Sequence, residues 1–180
     1  MKALLAAMGT EEAAGRSRAA CTNLLALPQF TAARAVMLYN PIVGEVDCVP
    51  VALSAWRHGK TVLLPKVSYE QRHLLPVECL SLDDEMVPGS FGIGEPAGGR
   101  PWPLELIDFV VVPALAYDRR GYRLGRGGGF YDRFLTRDEV RAVACGLGFA
   151  RQVVDALPVQ PHDRRLDLLV TDVEILKFNE

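Results

Sequence analysis

The residues best placed to do chemistry lie in one stretch, YDRRGYRLGRGGGFYDRF at positions 117–134. Gly125, Gly127, Gly128 and Gly129 are bracketed by Arg123, Arg126 and Arg133, and Asp132 follows closely. Glycine has no Cβ to hold a ligand off the main chain, and it reaches backbone conformations closed to other residues. Several N–H groups presented in succession where a helix begins form an anion site. Arginine adds a planar fork of donors suited to phosphate. That chemistry is a phosphate cradle; the competing reading is a mobile connection flanked by solvated arginines. The spacing is neither that of the nucleotide P-loop, which needs Gly-Lys-Ser/Thr, nor that of the dinucleotide fingerprint.

Two weaker matches fail on context. Gly92-Ile93-Gly94-Glu95-Pro96-Ala97 has dinucleotide spacing with Ala in third place, but Pro88 and Gly89 precede it where a strand is required, and Pro96 sits inside it. Gly59-Lys60-Thr61 ends like a P-loop, yet Ser54 stands where the first glycine belongs.

Positioning such a loop requires a strand before it and a helix after it. Residues 107–112 are the most apolar strand candidate and are expected at the sheet centre. A helix is expected from Phe130 through Leu135, running on toward Val140. Upstream, Thr10 reads as the N-cap of a helix with Glu11 and Glu12 in its first turn, closed by Pro28. Residues 35–39 read as a buried strand, Asp47 as the cap of a second helix stopping at Gly59, and residues 61–64 as the next strand. That order predicts a crossover in a parallel sheet. Pro76 demotes residues 74–79 to an edge strand, and residues 81–103 read as a long loop with little structure of its own. Residues 142–147 and 168–171 complete the strands. The fold class is α/β: a single three-layer domain over residues 1–180, with a mostly parallel central sheet flanked by helices and the ligand at the C-terminal strand ends.

Composition narrows the function. The chain has 180 residues, 49% of them hydrophobic, enough for one substantial core. No apolar run is long enough to cross a bilayer, and the N-terminus lacks a basic region followed by an apolar block, so a cytoplasmic protein is expected. The net charge of −2 argues against a general nucleic-acid binder. Cys21, Cys48, Cys79 and Cys145 form no close pairs and read as buried thiols rather than metal ligands.

The order of residues says more than their composition. The run from Arg123 to Asp132 resembles the signature Arg-Leu-Gly-x-Gly-x-Gly-(Tyr/Phe)-Tyr-Asp of the 5-formyltetrahydrofolate cyclo-ligase (methenyltetrahydrofolate synthetase) family. The segment from Phe91 to Pro96 is similar to its F-G-I-x-E-P segment, the stretch from Asn40 to Asp47 to its folate-contacting stretch, and residues 162–167 to its H-D-x-x-(L/V)-D segment. The resemblance implies ATP- and Mg²⁺-dependent conversion of 5-formyltetrahydrofolate to 5,10-methenyltetrahydrofolate, with ADP and phosphate released. The formyl oxygen would be phosphorylated and N10 would close the ring, chemistry that depends on positioning and charge neutralisation.

Carried over residue by residue, the resemblance implies that Arg123, Leu124, Gly125, Arg126, Gly127, Gly128, Gly129, Phe130 and Tyr131 hold the ATP triphosphate. Arg126, Gly127, Gly128, Gly129 and Phe130 would also border the folate, with Arg126 catalytic. Glu45 would meet the pterin nitrogens with Tyr39 as the neighbouring wall, and Asp132 and Asp167 would place Mg²⁺. The blander readings are a helix-dipole role for Asp132, a strand-flanking carboxylate for Asp167, a charged surface for Glu45, a core ring with a wet hydroxyl for Tyr131, and solvated turn residues for Arg119 and Arg120. The family's basic opening helix has no match in this chain, and Lys2 does not occupy its place, so weaker ATP affinity is expected. The expected partners are reduced folate and ATP, with no nucleic acid and no membrane, and a monomer or weak homodimer. The alternatives are a non-catalytic folate- or nucleotide-binding paralogue of the same fold, and nucleic-acid binding through the arginine–tyrosine run.

Overall fold

The computed structural model describes residues 1–68, 70, 73–89 and 93–178, with Lys2 described by its backbone alone. The helices are α1 (Lys2–Ala6), α2 (Thr10–Leu25), α3 (Pro28–Ala32), α4 (Val49–Arg57) and α5 (Phe130–Leu135). The strands are β1 (Ala35–Met37), β2 (Thr61–Ser68), β3 (His73–Cys79), β4 (Met86–Pro88), β5 (Gly94–Pro96), β6 (Phe109–Val112), β7 (Ala116–Asp118), β8 (Arg123–Leu124), β9 (Val143–Leu147), β10 (Val153–Val154), β11 (Leu168–Val170) and β12 (Ile175–Lys177).

Seven strands make the main sheet in the order β12-β11-β9-β6-β1-β2-β3, with β6 in the middle. β1 pairs in parallel with β2 and β6, and β9 with β6 and β11; the two edges, β3 and β12, are antiparallel. β6 reads Phe-Val-Val-Val and is buried throughout, because a central parallel strand is covered on both faces and β-branched side chains suit the pleat. One face packs against α2, α3 and α4 through Cys21, Leu24, Phe30, Val51 and Ala55. The other packs Phe134 and Leu135 of α5, with Tyr117, against Met37, Val110, Val112 and Leu169. Among the described residues no helix is long and apolar enough to cross a membrane.

Several expectations are corrected in detail. Gly9, not Thr10, is the N-cap of α2, and no side chain caps that end. Pro28 opens a short helix at its N1/N2 position, where proline's missing N–H costs nothing, besides following the end of α2. Asp47 does cap α4, its Oδ1 accepting the Val49 N–H at 3.0 Å, although Cys48 is the N-cap residue. β2 runs past Pro65 to Ser68 because β1 reaches only as far as Leu63; beyond that β2 pairs with β3 alone, and Pro65 faces Pro76 across the ladder. Two residues without N–H groups thus share one rung. The 81–103 loop contains the β4–β5 pair, which packs on β2. α5 stops at Leu135, short of Val140. All four cysteines are buried free thiols, and burial pushes Cys21 and Cys48 up to about 12.

Candidate active site

A cavity of about 370 Å³ opens where β1 and β6 end, at the C-terminal side of the parallel strands. Residues just past β1 (Tyr39, Asn40) and past β6 (Pro113, Ala114) form its floor, and the extended β2–β3 ladder supplies Pro65, Val67 and Leu74 as a wall. Ile93 and Glu95 from the β5 side, and the glycine loop with the start of α5, complete it.

The path into the glycine loop is built rigidly. The Tyr117 ring packs so closely on β9 and the turn after it that a Cβ on Gly146 would sit 2.7 Å, and one on Gly148 2.6 Å, from the ring. The Tyr117 hydroxyl lies 2.8 Å from the Val112 carbonyl and 2.9 Å from that of Leu147, with one proton to share. Next to it, Asp118 is wholly buried and accepts N–H bonds from Arg120, Tyr122 and Leu157 as well as the Arg120 guanidinium. Arg120 is therefore a structural partner rather than only a solvated turn residue. β8 then pairs back on β7 and delivers the chain into the loop.

Within the loop, Gly127 and Gly129 take φ of +98° and +61°, which only glycine adopts freely. A Cβ on Gly125 or Gly127 would meet nothing within 4 Å. Among the described residues, the N–H groups of Gly125, Arg126, Gly127, Gly128 and Gly129 donate to no protein acceptor. Five consecutive main-chain donors beside open space are a set that an anion can satisfy. α5 is only six residues long, so the donors rest on the loop more than on a helix dipole.

Most of the residues expected at the site meet in this cavity. Tyr39, Glu45, Arg123, Gly125, Arg126, Gly128, Gly129, Phe130, Tyr131 and Asp132 all line it; Leu124, on β8, and Gly127 lie outside its wall. The Arg123 side chain is only 4% exposed, its Nη1 donating to the Arg164 carbonyl at 2.7 Å and its Nη2 to Asp132 Oδ1 at 2.7 Å. Arg123 thus orients Asp132 instead of reaching outward. Asp132 Oδ1 also accepts the Arg164 N–H at 3.1 Å, while Oδ2 makes no hydrogen bond among the described residues.

Arg126 is 39% exposed and reaches across to Glu45, Nη2 to Oε1 at 3.2 Å and Nε to Oε1 at 3.4 Å. The Glu45 side chain is 9% exposed, and burial raises its pKa although the Ile42 N–H and Arg126 pull it down. It is therefore no open surface charge. Tyr39 donates to the Val46 carbonyl at 2.8 Å, holding the turn that carries Glu45.

Asp167 is not brought to the cavity. It precedes β11, its Oδ2 accepting the Ala144 N–H at 2.7 Å, among the starts of the parallel strands whose far ends form the cavity. There its carboxylate ties two strand starts together. In the F-G-I-x-E-P segment, Phe91 and Gly92 lie outside the described residues, but Glu95 is buried in the cavity wall with Oε2 accepting the Val67 N–H at 3.2 Å. The sequence assigns Glu95 no role of its own, though it is the fixed acid of the F-G-I-x-E-P segment. Asn40, the first residue of the expected folate-contacting stretch, donates from its Nδ2 to the Gly94 carbonyl at 3.1 Å.

Comparison with known proteins gives the family. Residues 1–172 match the 5-formyltetrahydrofolate cyclo-ligase family. The chain is 31% identical over 176 residues to 5-formyltetrahydrofolate cyclo-ligase of Escherichia coli K12, covering 96% of each, and 27% identical over 177 residues to the enzyme of that name from Mus musculus, covering 93% of this chain and 87% of the relative. The NMR structure of Aquifex aeolicus 5,10-methenyltetrahydrofolate synthetase superposes with a TM-score of 0.85 at 34% identity, over 99% of this chain and 89% of that one.

Proposed function

The chain belongs to the 5-formyltetrahydrofolate cyclo-ligase family and is a ligase of folate one-carbon metabolism, and from that premise we propose that it closes 5-formyltetrahydrofolate to 5,10-methenyltetrahydrofolate with MgATP, acting as one domain over residues 1–180. The observation that carries the reading is that Glu45 and the glycine loop, 81 residues apart at the Glu45–Arg126 pair, face one cavity.

The γ-phosphoryl group passes to the formyl oxygen, N10 attacks the activated carbon, the C–O bond breaks with phosphate leaving, and N10 gives up its proton. The loop amides and Arg126 bind the phosphate oxygens and meet the charge that develops on them. Glu45 accepts N–H bonds from the pterin, with Tyr39 beside it. Among the described residues no three His, Cys, Asp or Glu side chains gather, so a magnesium ion at this site would take Asp132 and complete its shell with phosphate oxygens and water. Once bound, Mg²⁺ neutralises phosphate charge. Arg123 keeps Asp132 aimed by occupying its other oxygen.

Incubation with 5-formyltetrahydrofolate and MgATP is expected to give the near-ultraviolet absorbance of the methenyl product, with Asp132→Asn sharply lowering turnover and raising the Mg²⁺ requirement of what remains. Tight binding of folate with no product would instead make the chain a binding protein.

The Glu45–Arg126 pair has a consequence for binding. Nucleotide that recruits Arg126 leaves a buried carboxylate unpaired, whereas folate that takes Glu45 releases Arg126. Folate and nucleotide therefore tighten each other reciprocally. Glu45→Ala is expected to bind MgADP about two- to five-fold more tightly than the native chain without folate, the scale of a partly exposed ion pair, and to lose the coupling. Calorimetric titration with and without folate measures both; weaker MgADP binding by Glu45→Ala would refute it.

A further inference from the structure

Arg133 brackets the glycine loop in the sequence, yet it does not line the cavity that the loop faces. It lies on α5, exposed, and its side chain turns back onto the loop from outside. Its Nη2 donates to the Gly128 carbonyl at 2.6 Å, and its guanidinium carbon stands 5.4 Å from the centre of the Phe130 ring. Nη1 closes on the bare Cα of Gly129, where a Cβ would sit 2.9 Å from it. The Phe130 ring in turn covers Gly128, where a Cβ would sit 2.5 Å from the ring.

A peptide between two glycines needs such a support. With no Cβ on either side, the Gly128–Gly129 unit can turn over and exchange the places of its carbonyl and its N–H. In one orientation the loop offers an anion a donor; in the other it offers an oxygen that repels it. The carbonyl and N–H of a trans peptide point in opposite directions. A carbonyl held on the Arg133 side therefore sets the Gly129 N–H on the opposite side, toward the cavity that Gly128 and Gly129 line. The bond from a guanidinium is charge-assisted and stronger than a neutral one, so the orientation is fixed before a ligand arrives. Donors fixed in advance need no reorganisation on binding. We propose that Arg133 is a positioning residue for the triphosphate: from outside the site it locks the Gly128–Gly129 peptide with its N–H toward the phosphates. The proposal rests on the nucleotide reading of the loop given above.

Arg133→Met keeps the stem of the side chain and removes both donor and charge. The probe is the MgATP analogue with an imido bridge between its β- and γ-phosphates. The variant is expected to bind it about five- to thirty-fold more weakly, the range between a neutral hydrogen bond and one to a charged group. Affinity for 5-formyltetrahydrofolate and the thermal midpoint without ligand should match those of the native chain, as for an exposed side chain. Arg133→Lys, which still offers the carbonyl a charged donor, should recover part of the loss. The loss should be the same fold at low and at high salt, because Arg133 acts on the loop and not on the phosphates. A cation touching the phosphates would instead lose its advantage as salt screens it. Native-like nucleotide binding by Arg133→Met, a loss that salt abolishes, or one shared equally by the folate would overturn the inference and leave the functional reading standing. A native chain that binds no nucleotide would overturn that reading first, and this inference with it.

Discussion

Arg126→Ala is expected to lower kcat by about 10²- to 10³-fold, the usual loss when one preorganised donor to a developing negative charge is removed. KM for MgATP should change much less, because five backbone donors of the loop remain. The reason lies in how the side chain is held. Both of its contacts with Glu45 go to the same oxygen, Oε1, at 3.2 and 3.4 Å, and the residue is 39% exposed. Such a contact orients the guanidinium near the loop yet lets it swing onto a phosphoryl group. Arg126→Lys keeps the charge but not the fork, and should recover only part of the loss.

Arg126→Ala should also move a pH limb. Burial raises the pKa of Glu45, and Arg126 opposes that rise by favouring the carboxylate. Only the ionised form accepts the pterin N–H groups, so kcat/KM for the folate should fall on acidification at a pH above the ordinary carboxylate range. Without Arg126 the opposing pull is gone, and the limb should move to higher pH. A profile of kcat/KM against pH for both proteins decides it: a limb that stays put would mean that Arg126 does not hold Glu45 ionised, and a kcat within ten-fold of native that it does not stabilise the phosphoryl group.

The sequence made some of this legible for definite physical reasons. Phe109–Val112 is an uninterrupted apolar run because a central parallel strand has no wet face, and it does sit mid-sheet. The glycine loop showed because only glycine serves at the positive φ of Gly127 and Gly129. What stayed hidden depends on partners distant in sequence. The contacts of Arg123 with the Arg164 carbonyl and Asp132, and of Asp167 with the Ala144 amide, join residues 9 to 41 positions apart that no local pattern links. The β4–β5 pair was invisible because Pro88 and Pro96 at its ends read as loop, and because it stands on β2 rather than on a core of its own. Glu95 draws its meaning from the Val67 amide, 28 residues away.

Asp118→Ala is expected to destabilise the fold by about 2–4 kcal/mol, the scale of leaving several main-chain donors without an acceptor at once. Asp118 has no exposed surface, and its loss leaves three main-chain donors, those of Arg120, Tyr122 and Leu157, without the acceptor they share. Unsatisfied donors of this kind, rather than the lost attraction to the half-exposed Arg120, dominate the cost. Burial alone would raise the pKa of Asp118, but the Leu157 and Tyr122 amides and Arg120 outweigh it and hold the carboxyl below its usual range. With the folded pKa below the unfolded one, the stabilisation is present above the unfolded carboxylate pKa and is lost as pH falls through the folded one. Urea unfolding at neutral and at acidic pH measures both parts: the native chain should lose stability on acidification more steeply than Asp118→Ala, and the gap between them should narrow. The consequence for the site follows from connectivity, because Asp118 ends β7, the strand on which β8 pairs to carry Arg123 toward Asp132. In urea too dilute to unfold it, the variant should need more Mg²⁺ for half-maximal turnover; a loss of stability under about 1 kcal/mol, below even one stranded donor, would show that the turn holds without it.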